Sequence, residues 1–485
     1  MRPGDRMTAA APRHAKPAPP GALGRAVDAV VPPRLGTSFR WLMASSWVTN
    51  TSDGIALAAG PLLVASETSS PELVAASVLL QRLPFVLFGL YAGVLADRLH
   101  RRRLLIVVNL LRTLVLVILA AVIWSGEVNI AAVLVAMFLL GTAETFADTT
   151  TMTLLPMMVH KRDLGIANAR LLVGVIVANQ LAGPPIGALL FTAGRALPFA
   201  TQAVLIALGV VLISRMAVSA PVRTSETSHV RRDVADGIRW LWGHPPIRTL
   251  TLTIVFFNIT YGAAWSVLVL YTDERLGLGE LGFGIVTTMG ALGGIVGTSA
   301  YGWLERRFSL ANLMRVGLII ETLTHLILAL TTRPGIAFAV FFVFGAHAFV
   351  WGTTAHSIRQ RAVPEDFQGR VGSVYMMGVV GGLAAGAAVG GALAGRWGVT
   401  APFWFAFVGS AVLLAALWGQ LGYIAHVDAD TIEADHDDTE PAARAEDDIV
   451  VDVRDVSPDA DSADDDPGGD PEPEPTAPGW SGARS

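Results

Sequence analysis

Apolar runs of about 20 residues or more, separated by short polar breaks, recur along the chain from residue 39 to residue 425. Twelve are present: 39–64, 71–96, 103–125, 129–155, 164–192, 196–216, 248–272, 282–304, 309–331, 335–358, 368–395 and 401–425. A helix rises about 1.5 Å per residue and the hydrocarbon core of a bilayer is about 30 Å thick, so each run is long enough to cross. The pattern predicts an all-α polytopic membrane protein with twelve transmembrane helices, numbered here as segments 1 to 12.

Composition agrees: 52% of the 485 residues are hydrophobic and 15% charged, and the mean hydropathy is +0.52. That balance suits a chain whose solvent is lipid. Residues 1–38 are rich in Pro, Ala and Arg without an apolar core, so the expectation is a disordered basic N-terminus and no cleavable signal. Cysteine is absent, which excludes disulfides and thiol chemistry.

The net charge of −5 conceals a split. Residues 427–485 hold 3 basic residues against 20 acidic ones, whereas residues 1–426 hold 32 against 20. The acidic end is too poor in apolar residues to bury a core, so 426–485 is expected to be a disordered tail. Arginine and lysine concentrate at the amino end and in the breaks after segments 2, 4, 6, 8 and 10, including Arg34, Arg98, Arg103, Lys161, Arg162, Arg231, Arg306 and Arg359. The opposite breaks offer only Arg195, Arg275, Arg333 and Arg396. Positive charge stays inside, so both termini are expected to be cytoplasmic. The organisation expected is a six-helix bundle at 39–216, a central cytoplasmic loop at 217–247 with a short amphipathic helix, and a second six-helix bundle at 248–425.

The two bundles repeat each other. A shift of 208 carries Arg40 to Arg248, Asn50 to Asn258, Gly54 to Gly262 and Asp97 to Glu305; further on, a shift of 203 carries Val177 to Val380, Gly183 to Gly386 and Gly187 to Gly390. Parallel repetition implies two halves related by an axis along the membrane normal.

Between segments 2 and 3 stands Gly93-x-x-x-Asp97-Arg98-x-x-Arg101-Arg102. This resembles the signature of the major facilitator superfamily, with His100 where that signature carries glycine; the second-half echo, Gly302 with Glu305, Arg306 and Arg307, is degraded. The stretches FLLGTAETFADTTTMTLLPMMVHKRDLGIAN and DVADGIRWLWGHPPIRTL are similar to the drug:proton antiporter branch, with its macrolide-efflux and siderophore-export members. In physical terms Asp97 can accept bonds from helix N–H groups and from arginine. A charge lock there, opposite the start of segment 11 near Arg370, would hold the cytoplasmic side shut. The alternative is a simple topogenic cluster. Segment 5 carries GPPIGA, in which Gly183, Pro184 and Gly187 match the antiporter motif of exporters; its adjacent prolines also bend the helix.

Gly-x-x-x-Gly pairs occur in segment 2 (Gly89, Gly93), segment 5 (Gly183, Gly187), segment 8 (Gly293, Gly297) and segment 11 (Gly386, Gly390). Small residues four apart let helices approach closely, and the resemblance implies that these four segments form the contact between halves. Polar residues concentrate in segments 1, 4, 7 and 10, which in this superfamily line a central cavity. Asn50, Asn258, Tyr261, Trp265, His347 and Trp351 are the expected substrate contacts.

Membrane carboxylates need a partner, a proton or a role. Counting about 1.5 Å per residue, Asp53 and Arg82 lie at matching depth, roughly 21 and 22 Å, and are expected to pair; Arg112 is expected to join Glu144 and Asp148, one turn apart on segment 4. For Asp53 a proton carrier, a structural ion pair and a contact to a cationic substrate all remain open. Glu321 and His325 are expected to form a local pair on a peripheral helix. No phosphate loop, metal constellation or catalytic motif is present, so an enzyme, a cofactor, a metal and a nucleic-acid partner are not expected. The function expected is a secondary active transporter in the bacterial plasma membrane, exporting amphiphilic small molecules by alternating access in exchange for protons, as a monomer in the lipid bilayer. The alternatives are an uptake symporter of the same fold and a transport-inactive scaffold signalling through the acidic tail.

Overall fold

The computed structural model describes residues 33–217 and 230–421, with only the backbone at residues 33, 97, 161, 230–233, 365 and 366. The acidic tail, most of the N-terminal stretch and part of the central loop lie outside the described residues, and so do the expectations placed on them.

The first half comprises α1 (Thr37–Glu67), α2 (Pro71–Arg98), α3 (Arg101–Ser125), α4 (Ile130–Met158), α5 (Leu164–Ala193) and α6 (Leu197–Ser214). The second comprises α7 (Pro245–Trp265), α8 (Gly279–Arg307), α9 (Leu310–Leu330), α10 (Pro334–Ala362), α11 (Glu365–Trp397) and α12 (Ala401–Leu417). A connecting helix, Val230–Gly243, lies between them where the amphipathic helix was expected, and it packs against α11. Among the described residues ten helices are long and apolar enough to cross a membrane. The other two are α1, 31 residues long and rich in polar groups, and α12, 17 residues long.

The ends follow local chemistry. Asn129 Oδ1 accepts from the amides of Ala131 and Ala132 (2.9 and 3.3 Å) and starts α4; Ser70 and Ser309 cap α2 and α9 in the same way. Pro71, Pro245 and Pro334 occupy first helical positions, where a missing N–H costs nothing. Inside α5 the expected bend takes the form of a π-helical stretch, Val175–Ala182. Pro184 and Pro185 donate no bond to the preceding turn, and the ladder widens to accommodate them.

Packing repeats with the sequence. α1 packs on α5 and α6, α2 on α4, and α3 on α4 and α6; α7 packs on α11 and α12, α8 on α10, and α9 on α10 and α12. The glycine contacts repeat too: a Cβ on Gly54 of α1 would stand 2.8 Å from the Cα of Gly183, and a Cβ on Gly386 of α11 would stand 3.0 Å from the Cα of Gly262 on α7.

The halves meet where α2 packs on α11 and α5 on α8, the four helices expected. Their glycine pairs are placed differently from the expectation. Gly183 and Gly187 face α1, Gly293 and Gly297 face α10, and Gly386 and Gly390 face α7, all within one half; Gly89 and Gly93 touch no neighbouring helix closely. Across the halves, Gly284 faces Ala188 and Pro185, and Gly391 faces Ala75, Glu72 and Pro71. Inside each bundle these glycines bring backbone against backbone, whereas across the halves Gly284 and Gly391 meet first the side chains of Ala188 and Ala75. These cross-half contacts gather at the end where α2 and α8 begin, away from the 98–101 loop, and there Ala75, Val267 and Ala394 form a small apolar cluster.

Candidate functional site

Ser45, Thr49, Ser52 and Asp53 fall on one face of α1, at spacings of four, seven and eight. That face turns into the first half. Ser45 Oγ donates to the carbonyl of Gly209 (3.1 Å) and Ser52 Oγ to that of Gln202 (3.5 Å), and Thr49 fills the space that Gly209 leaves open. The rotation fixes the partner of Asp53. Its carboxylate accepts from Nη2 of Arg112 on α3, and the pair is 6% and 5% exposed. Arg112 Nη1 lies 3.4 Å from Oδ1 of Asn109, itself buried one turn away.

This corrects the expected pairing. Arg82, expected at matching depth, stands on α2 and is not the residue that pairs with Asp53. It remains half-buried without a carboxylate inside 4 Å among the described residues, within electrostatic reach of Asp53, Glu144, Asp148 and Tyr261. Glu144 and Asp148 lie within the field of Arg112 without forming an ion pair to it. The three carboxylates grade outward: Asp53 is buried, Glu144 half-buried and Asp148 exposed. A small cavity of about 20 Å³ lies against Arg112, Asp148, Asn109, Ser46 and Thr151. It has room for about one water.

The second half presents aromatic rings. Phe257, Tyr261 and Trp265 recur every four residues on α7, with centroids 6.2 and 4.4 Å apart, and Phe344 of α10 stacks on Tyr261 (5.7 Å) and tilts against Trp265 (4.7 Å). Tyr261 and Trp265 are half-buried. His347 and Trp351 are not cavity-facing as expected: both are buried against Gly317 of α9, with a Cβ there 2.9 Å from the Trp351 ring and 3.0 Å from His347 Nδ1. Asn50 and Asn258 turn their amides onto their own helices, donating to the carbonyls of Ser46 (2.8 Å) and Ile254 (2.7 Å). Side-chain amides in apolar surroundings take the nearest acceptor.

Glu321 and His325 form the expected local contact, Nε2 to Oε1, at 2.9 Å. The unexpected member is His347 of α10, whose Nε2 lies 3.3 Å from the second carboxylate oxygen. Sequence spacing signals an i, i+4 pair but carries no sign of a third group from another helix.

At the 98–101 loop the Asp97 side chain lies outside the described residues, and with it the charge lock. Arg98 is exposed. Arg101 reaches Met157 of α4, and Arg102 donates to the carbonyl of Ser214 at the end of α6, so both fasten the loop within the first half. The second-half echo pairs Glu305 with Arg361 at 3.4 Å. In the GPPIGA stretch, Gly183 and Gly187 serve the α1 contact while Pro185 and Ala188 face Gly284 of α8; Pro184 is buried. One short segment thus joins the first bundle internally and meets the second.

Comparison with known proteins places this geometry in context. A family described as transmembrane secretion effectors matches residues 29–452. The multidrug efflux pump Tap of Mycolicibacterium fortuitum is 25% identical over 355 residues, covering 71% of this chain and 84% of the pump. Among solved structures the nucleoside transporter NupG aligns with a TM-score of 0.63 at 13% identity, covering 80% of this chain and 99% of its own. A bacterial homologue of the iron transporter ferroportin, in an inward-facing state, aligns with a TM-score of 0.61 at 16% identity, covering 78% and 98%. These two likenesses concern the fold alone.

Proposed function

Because the chain belongs to the transmembrane secretion effector family of the major facilitator superfamily, a family of multi-pass membrane transporters and not of enzymes, we propose that it exports amphiphilic small molecules in exchange for protons. Twelve crossings with both termini on the cytoplasmic side of a bacterial plasma membrane complete the proposal. The likeness to a multidrug efflux pump supports the direction and the substrate class.

The observation that carries the coupling is the buried Asp53–Arg112 pair beside Glu144 and Asp148. Three carboxylates stand against two guanidiniums, Arg82 and Arg112, so at membrane depth the cluster is one proton short of neutral. Asp148 meets open space and takes the proton. Glu144, one turn away, relays it toward Asp53, and protonation of Asp53 loosens its hold on Arg112. With the 98–101 loop on the cytoplasmic side, the closed contacts around Gly284 and Gly391 lie at the outer end. Tyr261 and Trp265, backed by the buried Phe344, offer an amphiphile flat apolar faces with a polar edge, which suits binding by stacking.

The test is transport in proteoliposomes under an imposed pH gradient, with fluorescent amphiphilic dyes as probes. The parent protein accumulates dye against its gradient, while Asp53→Asn loses that uphill movement and keeps equilibrium dye exchange. Uphill transport by Asp53→Asn at the parent rate sinks the coupling assignment. Dye moving with the proton gradient instead of against it establishes uptake.

A further inference from the structure

Glu321 stands eleven residues into α9, the position at which α3 carries Arg112. The duplication has therefore placed opposite charges at one site of the fold. Arg112 carries a permanent charge and meets carboxylates. Glu321 meets no permanent cation among the described residues; the groups on its two oxygens are His325 Nε2 at 2.9 Å and His347 Nε2 at 3.3 Å. All three side chains are at most 2% exposed.

The helices packed on α9 supply nothing else. On α10 the remaining titratable groups are His356, Arg359 and Arg361, two or more turns beyond His347. α12 has no charged residue, and α8 carries Glu280 at its start and Tyr301, Glu305, Arg306 and Arg307 toward its end. On α9 itself Arg315 bonds to Asn312 and to the carbonyl of Trp418. From α7 only the phenol of Tyr261 lies within electrostatic reach. A carboxylate in this position is neutralised by a proton or not at all. His325 Nδ1 is buried without a hydrogen-bond partner among the described residues, so Glu321 is the ring's one hydrogen-bond partner there.

We propose that Glu321, His325 and His347 form a second proton-binding site, in the second half, which holds one proton between a carboxylate and two imidazoles from adjacent helices. Trp265 packs edge-on against His325 (6.1 Å), and Phe344 against His347 (5.9 Å), so the two imidazoles lie directly against the aromatic cluster of α7 and α10. With the proton bound, the triad is neutral and bridges α9 to α10. Without it, a bare anion remains between those helices and favours the state in which water reaches it. The consequence for transport rests on the proposed exporter function; the site itself does not.

The test is magnetic resonance of the full-length protein in nanodiscs with isotope-labelled histidine, titrated from about pH 5 to about pH 9. His325→Asn and His347→Asn assign the two signals. In the parent the two imidazoles change charge in one shared step, and Glu321→Gln weakens their proton affinity about tenfold or more. Asp53→Asn leaves the step in place, so loss of uphill transport in that variant concerns the first half alone. Two imidazoles that stay neutral across the range in the parent overturn the site, and so does a folded Glu321→Gln protein with the parent's titration.

Discussion

Arg112 of α3 donates to the carboxylate of Asp53 on α1, 59 residues away in sequence and enclosed by the first half. A buried pair that loses one member leaves the other charge stranded, at a cost of about 3–5 kcal/mol. Arg112→Leu is therefore expected to lower thermal stability in nanodiscs strongly, and Asp53→Asn less, because the amide still accepts from the guanidinium. Combining Asp53→Asn with Arg112→Leu restores part of the loss. Strictly additive losses in the double variant would show that the two residues do not act as a pair.

The outward grading of Asp53, Glu144 and Asp148 predicts a difference in kind between buried and exposed members. Glu144→Gln removes a relay while leaving the Asp53–Arg112 contact intact. Uphill transport should slow roughly tenfold, about 1.4 kcal/mol in barrier, without loss of thermal stability. A stability loss equal to that of Arg112→Leu would make Glu144 a structural member of the network.

At the closed end of the seam, a Cβ on Gly391 would lie 2.7 Å from the Cβ of Ala75 and 3.2 Å from the Cα of Glu72. Gly391→Val should wedge α2 from α11 and shift the population toward the state open at that end. Spin-label distances between the start of α2 and the end of α11 read this directly. Gly372→Ala, on the same helix with open space around its Cα, serves as the control and leaves the distances unchanged.

Two tryptophans of the second half should separate binding from stability. Trp265 is half-buried among rings, whereas Trp351 is 3% exposed and packs on α9. Trp265→Ala is expected to weaken dye affinity about tenfold, near the upper end of what one aromatic contact contributes. Trp351→Ala should instead cost about 3 kcal/mol of stability through the cavity it leaves, with dye affinity per folded molecule little changed. Equal loss of affinity in both would return Trp351 to the substrate surface.

The sequence alone determined the helices, their order and their duplication, because lipid demands long apolar runs whose backbone bonds close internally. The shift from Gly54 to Gly262 and from Gly183 to Gly386 already contained the repeated close approach of α1 to α5 and α7 to α11. Hydropathy and residue count also gave depth along each helix axis, which is why Asp53 matched Arg82 so well. Depth says nothing of rotation about the axis or of which helix lies across the bundle. Tertiary packing supplied both: it turned the Ser45–Asp53 face toward α6 and α3 and so chose Arg112, and it sent the glycine pairs of α5, α8 and α11 inside their own bundles. It also brought His347 of α10 onto Glu321 of α9, a contact that no spacing along one helix encodes.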